Sequence, residues 1–188
     1  MTKIACLGWG SLVWDQRDLR VDSQWFDDGP NVCVEFARQS LDGRITLVMV
    51  EGVSPVQSCW ILMGTDSLSS ASANLAQREG ISEKNVHRDV GSWSVGASEP
   101  DTIPGLVQWA ASRDIDHVIW TALPPKFQGG RVTPTADAVV TYLGQLEGES
   151  RVRAEHYIRF APEKIRTEYR DRIERELDWT PSEPHSIQ

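Results

Sequence analysis

The sequence predicts an α+β protein, and three observations carry the prediction. Short apolar runs closed by turn residues recur between Ile4 and Met63, the mark of strands joined by tight turns. The apolar spacing then changes to a helical one over Ser67–Glu79. From Pro134 onward the spacing is helical again, so residues 1–133 read as a strand-rich domain and 134–188 as a helical C-terminal extension packed on it.

Ile4-Ala5-Cys6-Leu7 is a short buried strand that runs into Gly8-Trp9-Gly10-Ser11-Leu12. Gly8 and Gly10 admit backbone angles closed to other residues and let a ligand approach the main chain. A strand entering such a turn aims consecutive N–H groups at one spot, which suits an anion or an oxyanion. A tight turn with no ligand would have the same sequence. A dinucleotide fingerprint would need glycine where Val13 stands and a helix opening where Asp15-Gln16-Arg17-Asp18 is polar, and no Gly-Lys-Ser/Thr follows for a P-loop.

Asp27-Asp28-Gly29-Pro30 is a turn signal, after which Val32–Ser40 is a strand. Leu41-Asp42-Gly43-Arg44 forms a hairpin turn with Asp-Gly at its tip, and Ile45–Val50 is the partner strand. Ser58–Met63 is a third buried strand, so the three make an antiparallel meander. Ser67–Glu79 follows as a helix, with Asp66 or Ser67 as N-cap, Leu68, Ala71, Leu75 and Ala76 on one face, and Gly80 as C-cap glycine.

Glu79 ends that helix, where the partial negative charge of the helix C-terminus disfavours a carboxylate's charged form. That property suits a group acting first as base and then as acid. An exposed glutamate paired with Arg78 or Lys84 fits the same position.

Beyond Ser82 the pattern predicts one or two short strands within Val86–Val95, a helix over Ile103–Ser112, and a strong strand over His117–Leu123 stopped by Pro124-Pro125. Ala136, Val139, Val140, Leu143 and Leu146 mark one C-terminal helix. Ile165, Tyr169, Ile173 and Leu177 mark a second, Pro162–Leu177, with Glu168/Arg172 and Asp171/Arg175 as supporting pairs.

Composition narrows the class. The chain has 188 residues and a formal net charge of -8, which excludes a nucleic-acid footprint. No window approaches the roughly 20 apolar residues of a membrane helix, and the N-terminus has no signal-peptide pattern. Cys6, Cys33 and Cys59 lie among apolar neighbours and read as reduced core thiols of a cytoplasmic protein. His87, His117, His156 and His185 are scattered, so they offer neither a Cys/His pair nor a metal site. Of the eight tryptophans most fill the core; Trp9, inside the glycine turn, is the best placed to line a pocket.

Two motifs combine into a resemblance. Gly8-Trp9-Gly10-Ser11-Leu12 resembles the Tyr-Gly-Ser-Leu/Asn loop of the gamma-glutamylcyclotransferase-like superfamily, and Leu75-Ala76-Gln77-Arg78-Glu79-Gly80 resembles its helix-ending Leu-Asp-x-x-Glu-Gly. They occur in the family's order, with the hairpin strands between them, over the first half of the chain. The resemblance implies a small mixed β-barrel flanked by helices, with the C-terminal helices as an addition. It implies an enzyme of the lyase or acyltransferase kind acting on a small gamma-glutamyl compound. The substrate's own α-amine attacks its γ-carbonyl and releases 5-oxoproline, without metal or cofactor. Glu79 would be the catalytic acid/base and Gly8, Trp9, Gly10, Ser11 and Leu12 the substrate cradle. Arg38 could pair with a substrate carboxylate, or form a structural salt bridge.

The chain departs from the family in three places. Trp9 replaces the usual loop tyrosine and removes a hydroxyl, the family's aromatic strand after Glu79 is missing, and the helices after Pro134 are additional. The alternative is a non-catalytic module on the same fold, binding a small ligand or a protein through Trp9 and the charged helices. A homo-oligomer is left open.

Overall fold

The apolar run that opens the chain forms β1 (Ile4–Gly8), buried along its whole length inside a four-stranded sheet. The computed structural model describes residues 2–182; Met1 and residues 183–188, the end of the expected extension with His185, lie outside the described residues. β1 pairs antiparallel with β6 (Cys59–Leu62), where Leu7 faces Trp60, and parallel with β8 (His117–Thr121), where Cys6 faces Ile119. β7 (Val90–Ser94) closes one edge, antiparallel to β8.

A strand covered on both faces reads as a continuous apolar run, and alternate side chains serve different cores. Ile4 and Cys6 pack into a cluster with Ala71, Leu75 and Ala76 of α1 (Leu68–Glu79). Ala5 and Leu7 pack on the other side with Leu106 of α3 (Leu106–Ala111), Leu143 of α4 (Ala136–Gly144), Ile158 of α5 (Gly148–Phe160) and Ile173 of α6 (Glu168–Leu177). The C-terminal helices therefore share one hydrophobic cluster with the strands.

The expected hairpin is β3 (Val34–Gln39) with β4 (Ile45–Met49), and Gly43 adopts a φ of +89° at its tip. β2 (Asn31–Val32) pairs with β5 (Val56–Gln57) in a further two-stranded ladder. The barrel implied by the resemblance is not closed by ladders among the described residues, which fall into one four-stranded and two two-stranded sheets. At Cys33 the backbone turns to other partners, its N–H donating to Thr102 O (2.8 Å) while its carbonyl accepts from Val50 N (2.9 Å). Beyond β8, Pro124-Pro125 carries no ladder N–H groups, and a single bridge joins Lys126 to Arg38.

β6 pairs with β1 and lies in a different sheet from β3 and β4, so the expected three-strand meander is not formed, and the helices differ from expectation in three places. Val86–Asp89 is a helical turn, α2, because Ser82 and Asn85 bond locally before β8 offers partners, which begins only at Val90. α5 is an unforeseen helix that buries only Ala154, Tyr157 and Ile158 among charged residues. The last helix starts at Glu168 rather than Pro162, since Thr167 caps it by accepting from Arg170 N. Its ion pairs also differ from those expected, with Arg172 reaching Glu176 and Asp137, and Arg166 reaching Asp171 and Glu174. No helix among the described residues is long and apolar enough to cross a membrane.

Candidate active site

The loop after β1 coils into a single turn: Val13 N donates to Gly10 O (3.0 Å) and Asp15 N to Ser11 O (2.8 Å). The first amides of such a turn have no partner inside it. Among the described residues no hydrogen bond takes up the N–H groups of Gly10, Ser11 or Leu12. The glycines are needed for close approach, not for unusual backbone angles, since neither Gly8 nor Gly10 is among the positive-φ residues. A Cβ on Gly8 would meet the Trp25 ring at 2.6 Å, and one on Gly10 would meet the Tyr157 hydroxyl at 2.5 Å.

α1 brings Glu79 to this loop. Ser67 caps its start by accepting from Ser70 N, and Gly80 ends it in the left-handed conformation, so the helix stops at the glutamate. The neighbouring Arg78 side chain is almost fully buried and ties three groups together. Its Nη1 donates to Glu79 Oε1 (2.7 Å), and its Nη2 donates to Asp15 O (2.5 Å) and Ser11 Oγ (3.4 Å). Glu79 is thus paired with Arg78, but its side chain is only 17% exposed, so it is not the surface ion pair that its position also allowed. The Arg78 charge opposes that of the helix end. Arg78 Nε is buried and has no partner among the described residues.

The hairpin supplies the opposite wall. A bulge between Phe36 and Arg38 shifts the register and re-aims the strand at Arg38. Arg38 has no carboxylate partner among the described residues; its Nη1 donates to Pro124 O (2.6 Å), so the structural salt bridge is not formed. Arg44 pairs with Asp42 (2.8 Å) and lies over the Tyr157 ring, 5.5 Å from its centroid. From α5, the buried Tyr157 accepts a hydrogen bond from Leu47 N (3.2 Å) and packs edge-on against Trp14.

Together these elements enclose a cleft of about 220 Å³. All six residues singled out from the sequence, Gly8, Trp9, Gly10, Ser11, Leu12 and Glu79, line it, and so does Arg38. Arg17, Arg44, Arg78 and Tyr157 line it as well and were not expected. Arg78 stood beside Glu79 in the sequence; Tyr157 lies on a helix with no apolar stripe to announce it. Of the four arginines in the cleft, Arg17, Arg44 and Arg78 pair with Asp15, Asp42 and Glu79, and Arg38 has no carboxylate partner among the described residues, which suits it to an anionic ligand. Cys6, Cys33 and Cys59 are free and buried, and burial pushes their thiols up, which disfavours a thiolate nucleophile.

No protein-family model and no curated protein matches the chain. Among solved structures it is similar to a gamma-glutamyl cyclotransferase specific to glutathione from yeast, at 11% identity and a TM-score of 0.49, over 94% of this chain and 98% of that one.

Proposed function

We propose that the cleft binds a small gamma-glutamyl compound and catalyses its intramolecular cyclisation to 5-oxoproline. One observation carries this reading. Two motifs far apart in the sequence, the Gly8–Leu12 loop and the helix end at Glu79, line the same cleft and are tied by Arg78. In the reaction the substrate's α-nitrogen forms a bond to its γ-carbonyl carbon, and the bond from that carbon to the leaving amine breaks. The α-ammonium gives one proton to Glu79 to free its lone pair and loses a second as the ring closes. The leaving amine takes up both and departs as an ammonium. Glu79 can carry these protons because a base in the first step is an acid in the last. The unpartnered loop amides suit the oxyanion that develops between the steps, and the arginines suit the α-carboxylate of the glutamyl group.

The test is 5-oxoproline release from gamma-glutamyl amino acids, amines and glutathione by the wild type and by Glu79→Gln. Turnover by the wild type, reduced at least a hundredfold in the variant, is the expected result. Equal turnover by both would remove Glu79 from the chemistry.

A second reading rests on the Arg78–Glu79 pair, which also suits a non-catalytic binding module on this scaffold. A ligand bound equally well by wild type and Glu79→Gln, with no turnover by either, would favour that reading.

A further inference from the structure

The cleft does not end at Arg38. Arg38 and Leu123 also line a second depression of about 250 Å³, whose other charged residues are Arg88, Asp89, Lys126 and Arg131. Arg88 is offset by Asp89, its Nε and Nη2 donating to the two carboxylate oxygens at 2.7 and 2.8 Å. Among the described residues Arg38, Lys126 and Arg131 have no carboxylate within ion-pair distance. The trough thus holds four cations against the one carboxylate of Asp89, whose charge also acts on Arg38 and Arg131, in a chain whose net charge is -8. Like charges so placed repel one another and concentrate a field that an anion would relieve.

The backbone fixes this arrangement. Lys126 is held beside β3, with Gln39 N donating to its carbonyl (2.7 Å) and its own N–H donating to Ala37 O (3.1 Å). Arg131 follows a two-residue turn, in which Gln128 and Gly129 adopt φ of +47° and +83° and Phe127 and Gly130 exchange hydrogen bonds of 2.9 Å. Arg38 stands at the junction of cleft and trough. Arg38 and Leu123 line both, so the trough adjoins the cleft.

We propose that this trough is the leaving-group subsite and that the substrate is a gamma-glutamyl amide whose released amine carries additional carboxylate or phosphate groups. The proposal rests on the cyclotransferase reading above. An acidic leaving group would meet Arg38 first, then Lys126 and Arg131, each a charge-assisted hydrogen-bond donor.

The experiment compares kcat/KM for gamma-glutamyl-glutamate with its neutral isostere gamma-glutamyl-glutamine, and for gamma-glutamyl-phosphoserine with gamma-glutamyl-serine. The two pairs separate carboxylate from phosphate recognition. The wild type is expected to favour at least one acidic member by about tenfold. That ratio should fall toward one in K126Q/R131Q, and also as salt rises from about 50 to about 500 mM. Turnover of all four compounds with ratios near one, or ratios unchanged in the variant, overturns the trough and leaves the cyclotransferase reading standing. If none of these four and none of the wider panel above is turned over, that reading fails, and if only these four fail, it stands; in both cases equilibrium binding of gamma-glutamyl-glutamate judges the trough. Binding weakened about tenfold in K126Q/R131Q supports the anion site, and equal or absent binding overturns it.

Discussion

The hydroxyl of Tyr157 occupies the space that a side chain on residue 10 would need: a Cβ on Gly10 would lie 2.5 Å from Oη. The same oxygen accepts from Leu47 N at 3.2 Å, so one phenol from α5 sets the separation of the glycine loop from the hairpin. Burial pushes Tyr157 up to about 12, so it stays a neutral hydroxyl across the working pH range.

Gly10→Ala and Tyr157→Phe should therefore be coupled. Tyr157→Phe leaves the buried Leu47 N–H without its partner, a cost of about 1–3 kcal/mol. Gly10→Ala forces Oη aside in the wild type, whereas in the Phe background the nearest ring carbon is 3.5 Å away, an ordinary contact. Denaturant unfolding of both single variants and the double should give a double variant more stable than the sum of the single losses predicts. Strictly additive losses would contradict the close approach.

Glu35 should give stability a pH dependence. It is buried on β3, accepts from Thr167 Oγ1, Phe36 N and Tyr169 N, and is pushed up to about 7 by burial. Between the ordinary glutamate value and about 7, the folded chain keeps a proton that the unfolded chain has lost. The unfolded state binds fewer protons there, so this contribution is full at low pH and is lost as pH rises toward and through 7. The loss is on the order of 3 kcal/mol. Glu35→Gln should flatten the fall in Tm between pH 5 and pH 8 relative to the wild type, and parallel curves would contradict it.

Arg170 is a structural anchor. It is fully buried, and its guanidinium donates to the carbonyls of Pro162 (2.7 Å), Ile165 (3.2 Å), Ala161 (3.0 Å) and Ile158 (3.4 Å) and to Glu174 (3.0 Å). A lysine cannot span these acceptors. Arg170→Lys should cost about 2–4 kcal/mol in chemical denaturation, through carbonyls left unsatisfied where α5 ends. A cost below about 1 kcal/mol would contradict the anchoring role.

What the sequence makes legible follows from where local signals are strong. Ser67 and Gly80 bracket α1 because capping is decided by one or two residues, and Glu79 is placed with them. The loop after β1 announces itself by its glycines, although their cause is the Trp25 ring and the Tyr157 hydroxyl rather than backbone angle. Tyr157 is illegible because α5 buries only three residues among charged neighbours, so its helix shows no apolar stripe. Arg38 is visible as a residue, but its position at the junction of cleft and trough depends on a bulge and on a pairing with Lys126, 88 positions further along. No local pattern encodes either.

In the proposed reaction the nucleophile is the substrate's own amine. The most direct measurement is to identify the product of wild-type turnover by NMR, beside the same compound blocked by acetylation at its α-nitrogen. With the substrate's own amine as nucleophile, the first yields 5-oxoproline and a free amine, and the second does not react, because the lone pair of its amide nitrogen is delocalised into the acetyl carbonyl. Free glutamate as the product, or cleavage of the blocked compound, would mean that water is the nucleophile and would contradict the claim.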